Sequence, residues 1–212
     1  MTDRYLIGNA QTIGYREIQS NVFSTAYDDA GDMLAVLADG AIDHPNGRVA
    51  AIIAVGCCVN IFIQKFSHIE SAQISKFLLE TALKANKNVQ DLVFIGKSPR
   101  LSLTMALFRD KELHYFNVGA NKIFLNNGHN ERILGADPNS SSKYGKCILS
   151  PKDIVGLLSA GAHDHAHPME RIKIIESDKE IFEKAQAIIK AVNKKGLTKQ
   201  LSATALLIEV TK

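Results

Sequence analysis

Only three cysteines occur in the 212 residues. Cys57 and Cys58 are neighbours in a stretch of helical periodicity, where adjacent side chains point about 100° apart. Cys147 stands alone, so no disulfide framework can be built, and the thiols read as buried groups in a reducing compartment. Excess charge is also lacking. The balance of 25 Lys+Arg against 22 Asp+Glu gives +3, too little to imply a nucleic-acid partner. The Lys190, Lys194, Lys195 and Lys199 cluster reads as the solvated end of a helix. Met1 to Arg4 carry no apolar leader. The most apolar run, Val49 to Ile63, is interrupted by Gly56 and Asn60 and flanked by Arg48, Gln64 and Lys65, which describes a buried core helix rather than a membrane span. Linkers, low-complexity tracts and internal repeats are missing as well. These absences lead us to expect one cytoplasmic domain over residues 1–212, with neither nucleic acid nor membrane among its partners.

What is present is ordinary globular composition, 46% hydrophobic and 22% charged, enough for a substantial core. Val22 to Tyr27 and Met33 to Ala38 read as strands around an Asp28-Asp29-Ala30-Gly31-Asp32 turn. Gly47 to Phe66 and Glu70 to Asn88 carry helical periodicity, the second with an apolar stripe of Ile74, Phe77, Leu78 and Leu83. Strands follow at Leu101 to Phe108, Glu112 to Val118, Lys122 to Leu125, Glu131 to Leu134, Gly145 to Leu149 and Asp153 to Leu158. Asn127-Gly128 marks one of their hairpins. Lys179 to Lys195 reads as an amphipathic helix with Ile181, Phe182, Ala185, Ile188, Ile189 and Val192 on its apolar face and Gly196 as C-cap. Ala203 to Val210 is the last strand. Runs of strands and runs of helices without regular alternation indicate an α+β protein with mainly antiparallel sheets.

The chemistry-bearing motifs begin at Leu37-Ala38-Asp39-Gly40, where an apolar strand ends in a carboxylate and a glycine. Upstream lies Gly14-Tyr15-Arg16-Glu17-Ile18-Gln19-Ser20-Asn21, and downstream His44-Pro45-Asn46-Gly47 turns into a helix. Further along come Ser102-Leu103-Thr104, Val118-Gly119-Ala120-Asn121-Lys122, Leu157-Leu158-Ser159-Ala160-Gly161 and Gln200-Leu201-Ser202-Ala203-Thr204. In this order the motifs resemble those of the metal-dependent protein phosphatase 2C family of serine/threonine phosphatases, bacterial type, over nearly the whole chain. The resemblance implies an α-β-β-α layered sandwich of two mainly antiparallel sheets flanked by helices.

The resemblance also implies a site with two divalent cations, Mg²⁺ or Mn²⁺, that activate a water for attack on a phosphoserine or phosphothreonine. Here Asp39 and the Gly40 carbonyl match the bridging ligand and its neighbour. The preceding acid pair is Ser20 and Asn21. Ala120, Ala160 and Leu201 stand where the family has aspartates, and Ala41 where eukaryotic members often have a proton donor. Two cations about 3.5–4 Å apart need several anionic oxygens, and one carboxylate faces four positive charges. A single hydrated Mg²⁺ on Asp39, Gly40 and Asn21 is the most these positions would hold. Arg16 matches the family's phosphate-binding arginine. The mobile flap of typical members is absent or reduced to Asp137 to Ser142.

A dense run of metal-ligating residue types, His163-Asp164-His165-Ala166-His167, follows the Ala160-Gly161 motif. With Asp43 and His44 it offers an alternative set for Zn²⁺ or Mn²⁺, although its spacing matches no structural zinc pattern. An extended, solvated loop is the competing reading of that run. The expected function is that of a pseudophosphatase, a regulatory or phosphoprotein-binding module that needs no cofactor and meets a phosphoprotein or kinase-pathway component. The alternative is an active Mn²⁺- or Mg²⁺-dependent phosphatase with rearranged ligands.

Overall fold

The computed structural model describes residues 4–15, 17–41, 46–91, 100–128, 130–135, 142–195 and 201–211. They divide into two compact units. The first comprises Ser20–Gly119 and Gly135–Ile148; the second comprises Met1–Gln19, Ala120–Leu134 and Leu149–Lys212.

In the first unit, strands β2 (Asn21–Tyr27), β3 (Met33–Gly40), β4 (Leu101–Arg109), β5 (Glu112–Val118) and β8 (Ser142–Ile148) form a sheet in the order β2-β3-β4-β5-β8. Every neighbouring pair is antiparallel. Helices α1 (Gly47–Lys65) and α2 (Ile74–Asp91) pack on this unit's sheet and on each other, joined by 3₁₀ turns at Phe66–His68 and Ser71–Gln73. Met33 to Ala38 are all fully buried, which is why β3 reads as a continuous apolar run rather than an alternating one. Counted with its 3₁₀ extension, α1 is long and apolar enough to cross a membrane. Here Ala50, Ala51, Ala54, Val55, Cys58 and Phe62 are buried in the core of the unit. In α2 the buried stripe is Ile74, Phe77, Leu78, Thr81, Ala82, Ala85 and Val89. Leu83, expected on that stripe, is 59% exposed, because it falls roughly 100° around the helix from Ala82.

In the second unit, β1 (Tyr5–Thr12), β10 (Ala203–Val210), β9 (Ile154–Leu158), β6 (Lys122–Asn126) and β7 (Glu131–Leu134) form an antiparallel sheet in the order β1-β10-β9-β6-β7. Helices α3 (Ala160–His165), α4 (Pro168–Ile175) and α5 (Ile181–Lys194) accompany it. Strand β1 has no counterpart in the sequence reading, since Gly8-Asn9 at its centre weakens strand propensity. Its glycine has a packing reason. A Cβ there would lie 2.3 Å from the Ile181 carbonyl oxygen at the start of α5. Ile181, Ala185, Ile188, Ile189 and Val192 of α5 are buried as expected, whereas Phe182 is half exposed. Gly196, the expected C-cap, lies outside the described residues. The α+β class and the two antiparallel sheets with their helices agree with the expectation.

In each unit an arginine ties a helical segment to the sheet, part-buried Arg109 in the first and buried Arg171 in the second. In the first, Arg109 Nε donates to Asp32 Oδ2 at 2.7 Å and Nη1 to the Ile69 carbonyl at 2.7 Å, and its guanidinium lies 4.1 Å from the Phe66 ring centroid. Burial pushes the Asp32 carboxyl above its ordinary range, opposed by Arg109. In the second, Arg171 of α4 makes a two-pronged pair with Glu131 of β7 through Nε (2.8 Å) and Nη2, and Nη1 donates to the Ala166 carbonyl. Both side chains of that pair are under 5% exposed.

Removing one partner of such a pair strands a buried charge. Arg171→Ala is expected to cost about 3–5 kcal/mol of stability. The double change Arg171→Met with Glu131→Leu should cost clearly less than that single. Urea unfolding of the three proteins checks both statements.

Candidate functional site

Asn21, the first residue of β2, stands opposite Asp39 on β3, and Asp39 stands opposite Ser102 on β4. Ser20, just before β2, donates its hydroxyl to Asp39 Oδ1 at 3.2 Å, and the Gly40 amide donates to the Ser20 carbonyl at 3.3 Å. The pairing of β2 with β3 therefore brings Ser20, Asn21, Asp39 and Gly40 together at one end of the sheet. Asn21 is 2% exposed and Ser20 6%. Burial raises the Asp39 carboxyl to about 6, and the Ser20 hydrogen bond works in the opposite direction. In a cluster of carboxylates, neighbouring negative charge would be a further raising cause; here the raising cause is burial.

Gly40 serves this end of the sheet by having no side chain. A Cβ on it would sit 1.8 Å from the Gly47 carbonyl oxygen, and a Cβ on Gly47 would sit 2.2 Å from the Ala41 carbonyl oxygen. The start of α1 is thus seated backbone-to-backbone against the end of β3. The Ala41 amide donates to the Arg100 carbonyl at 2.8 Å, continuing the ladder by one more residue. Thr104 donates its hydroxyl to Asn117 Oδ1 across β4 and β5.

The second unit holds Ala120, Ala160 and Leu201. Ala160 opens α3, and Leu201 precedes β10. A Cβ on Gly161 would lie 2.4 Å from the Ser202 carbonyl oxygen and 3.2 Å from Leu201 Cβ, so the two motifs lie against each other. Their neighbour Ser159, which the sequence reading gave no task, ties them together. Its hydroxyl accepts the Thr204 amide at 3.0 Å and the Ala162 amide at 3.4 Å, and its own amide donates to the Thr204 carbonyl. A serine followed by a short helix is an N-cap signal that could have found it. Ala120 is exposed, and Lys122 is half-buried at the start of β6.

The histidine-rich run corrects an expectation. It is not an extended loop: His163, Asp164 and His165 belong to α3, and His167 caps α4, its Nδ1 accepting the Met169 amide at 3.3 Å. Successive helical side chains diverge by about 100°, and Ala166 leaves the helix before His167. His163 Nδ1 pairs with Asp164 Oδ1 at 3.0 Å. Among the described residues no three His, Cys, Asp or Glu side chains converge as a metal-binding group. Arg16, Asp43, His44 and Asp137 to Ser141 lie outside the described residues; Ser142 begins β8.

The raised Asp39 carboxyl has a testable sign. The folded protein holds this proton up to about pH 6, whereas the unfolded chain releases it near 3.8. The folded state therefore binds more protons in between, and this residue's contribution to stability falls as pH rises through that window. Asp39→Asn should remove the fall, a difference of about 3 kcal/mol between pH 3.5 and pH 7, read from urea midpoints of the two proteins at both pH values.

No protein-family model matches the chain, and no curated protein matches it. Solved structures do. The S. agalactiae serine/threonine phosphatase superposes with a TM-score of 0.86 at 17% identity, covering 97% of this chain and 99% of that one. Serine/threonine phosphatase Stp1 from Staphylococcus aureus gives 0.85 at 16% identity, covering 97% and 95%. The catalytic domain of the phosphatase PstP, solved in complex with two manganese ions, gives 0.83 at 14% identity, covering 98% and 99%. Over nearly its whole length the chain has the protein phosphatase 2C fold of these bacterial serine/threonine phosphatases.

Proposed function

We propose that this chain is a pseudophosphatase, a protein phosphatase 2C fold that has given up hydrolysis and works in the cytoplasm as a regulatory or phosphoprotein-binding module. The observation that carries the reading is that, among the described residues, burial and not a neighbouring carboxylate raises Asp39. Its carboxyl is desolvated beside a serine hydroxyl and an asparagine, with its proton held to about pH 6. Two divalent cations repel each other and need several anionic oxygens. Ser20, Ala120, Ala160 and Leu201 offer no carboxylate, so the residues at the motif positions do not fit a dinuclear centre.

Phosphate recognition makes smaller demands than hydrolysis. It requires donors, whereas hydrolysis also requires an activated water. A guanidinium binds phosphate oxygens two at a time without help from a metal. Arg16, in the Gly14 to Asn21 motif, is the residue assigned to that task, with the phosphate borne by a phosphoprotein or kinase-pathway component.

Two measurements test the reading. Hydrolysis of an aryl phosphate in Mn²⁺ or Mg²⁺ should not exceed that of the Asp39→Ala protein; metal-stimulated turnover lost in that variant would overturn the pseudophosphatase. Phosphopeptide binding should be abolished by Arg16→Ala and not weakened by Asp39→Ala, since removing that charge lessens repulsion. Binding indifferent to Arg16→Ala would reduce the module to a scaffold.

A further inference from the structure

On the first unit, α1 and α2 enclose a cleft of about 530 Å³, within the range of small-molecule sites. Its apolar wall includes Ile61, Ile69 and Phe77. Thr81 also lines it; the residue is 2% exposed, and its hydroxyl has no hydrogen-bond partner among the described residues. Asn88, which also lines the cleft, donates its side-chain amide to Cys57 Sγ at 3.3 Å.

The rim carries charge of mainly one sign. Lys65 comes from the end of α1 and Lys84 from the middle of α2, and the Lys84 ammonium is near enough to act electrostatically on the Cys57 thiol. Glu80, the acid on the rim, has Lys76 at 3.8 Å. Long lysine stems can lie along apolar surface while their heads reach an anion.

We propose that this cleft binds a small amphiphilic carboxylate, its apolar body between Ile61, Ile69 and Phe77 and its charge between Lys65 and Lys84. A short fatty acid has this chemistry. The site is separate from the Asp39 cluster and does not depend on whether the protein hydrolyses phosphate.

Cys57 gives the test a built-in reporter. It lines the cleft and is partly exposed, Cys58 beside it is buried, and Cys147 is a partly exposed thiol outside the cleft. Sodium octanoate is expected to slow iodoacetamide labelling of Cys57 at least fivefold, followed by peptide mass, while Cys147 labels at its original rate. Lys65→Gln with Lys84→Gln should raise the octanoate concentration needed by about tenfold, and octanol should protect much less than octanoate. Both lysines are on the rim, and an unchanged circular dichroism spectrum will show that the variant folds. Unprotected Cys57, equal protection of Cys147, equal protection by octanol, or protection indifferent to the lysine changes would each overturn the proposal.

Discussion

Strand β3 is hydrogen-bonded along both edges, to β2 and to β4, and six of its residues in succession have no contact with water. The first unit is arranged around that burial. Leu34, Val36 and Ala38 share one core with α1 and α2, and the strand's far end meets the start of α1 at the Gly40–Gly47 contact. A strand so enclosed can finish in a carboxylate only at its end, where Ser20 supplies a donor. The desolvation of Asp39 is thus a consequence of how the strand is held.

Arg109 and Arg171 answer a related difficulty, that of holding helices to a sheet at defined positions. Apolar packing is nondirectional and tolerates sliding. A guanidinium with several partners in a fixed plane does not. Arg109 fixes the β2–β3 turn and the segment after α1 relative to β4. Arg171 fixes α4 relative to β7. Arg109 and Arg171 each find their carboxylate within their own unit, so the alanines and leucine at the motif positions leave neither pair short of a partner.

Elements with strong local signals were legible in the sequence. Glu112–Val118, Glu131–Leu134 and Ala203–Val210 run as their apolar patterns require, bounded by turns or loops. Strand β1 was hidden because Gly8 answers to Ile181, which is remote in sequence. Helix α3 was hidden because it is short and carries His163, Asp164 and His165 in succession, so that its ligand-like residues outweighed its cap. At the site, Asp39 was legible from an apolar strand ending in Asp-Gly. The Ser20 hydrogen bond and the raised carboxyl were not, since both depend on register and burial. Glu131 and Arg171, forty residues apart in sequence, carry no local signature of their pairing.

The Ser159 hydroxyl oxygen accepts amide protons from Thr204, on a strand, and from Ala162, in a helix. A single atom therefore serves as the terminus of two secondary-structure elements. Two ends that would otherwise depend on separate acceptors depend here on the same one. Displacing that one oxygen takes a hydrogen bond from the start of β10 and from the start of α3 at once.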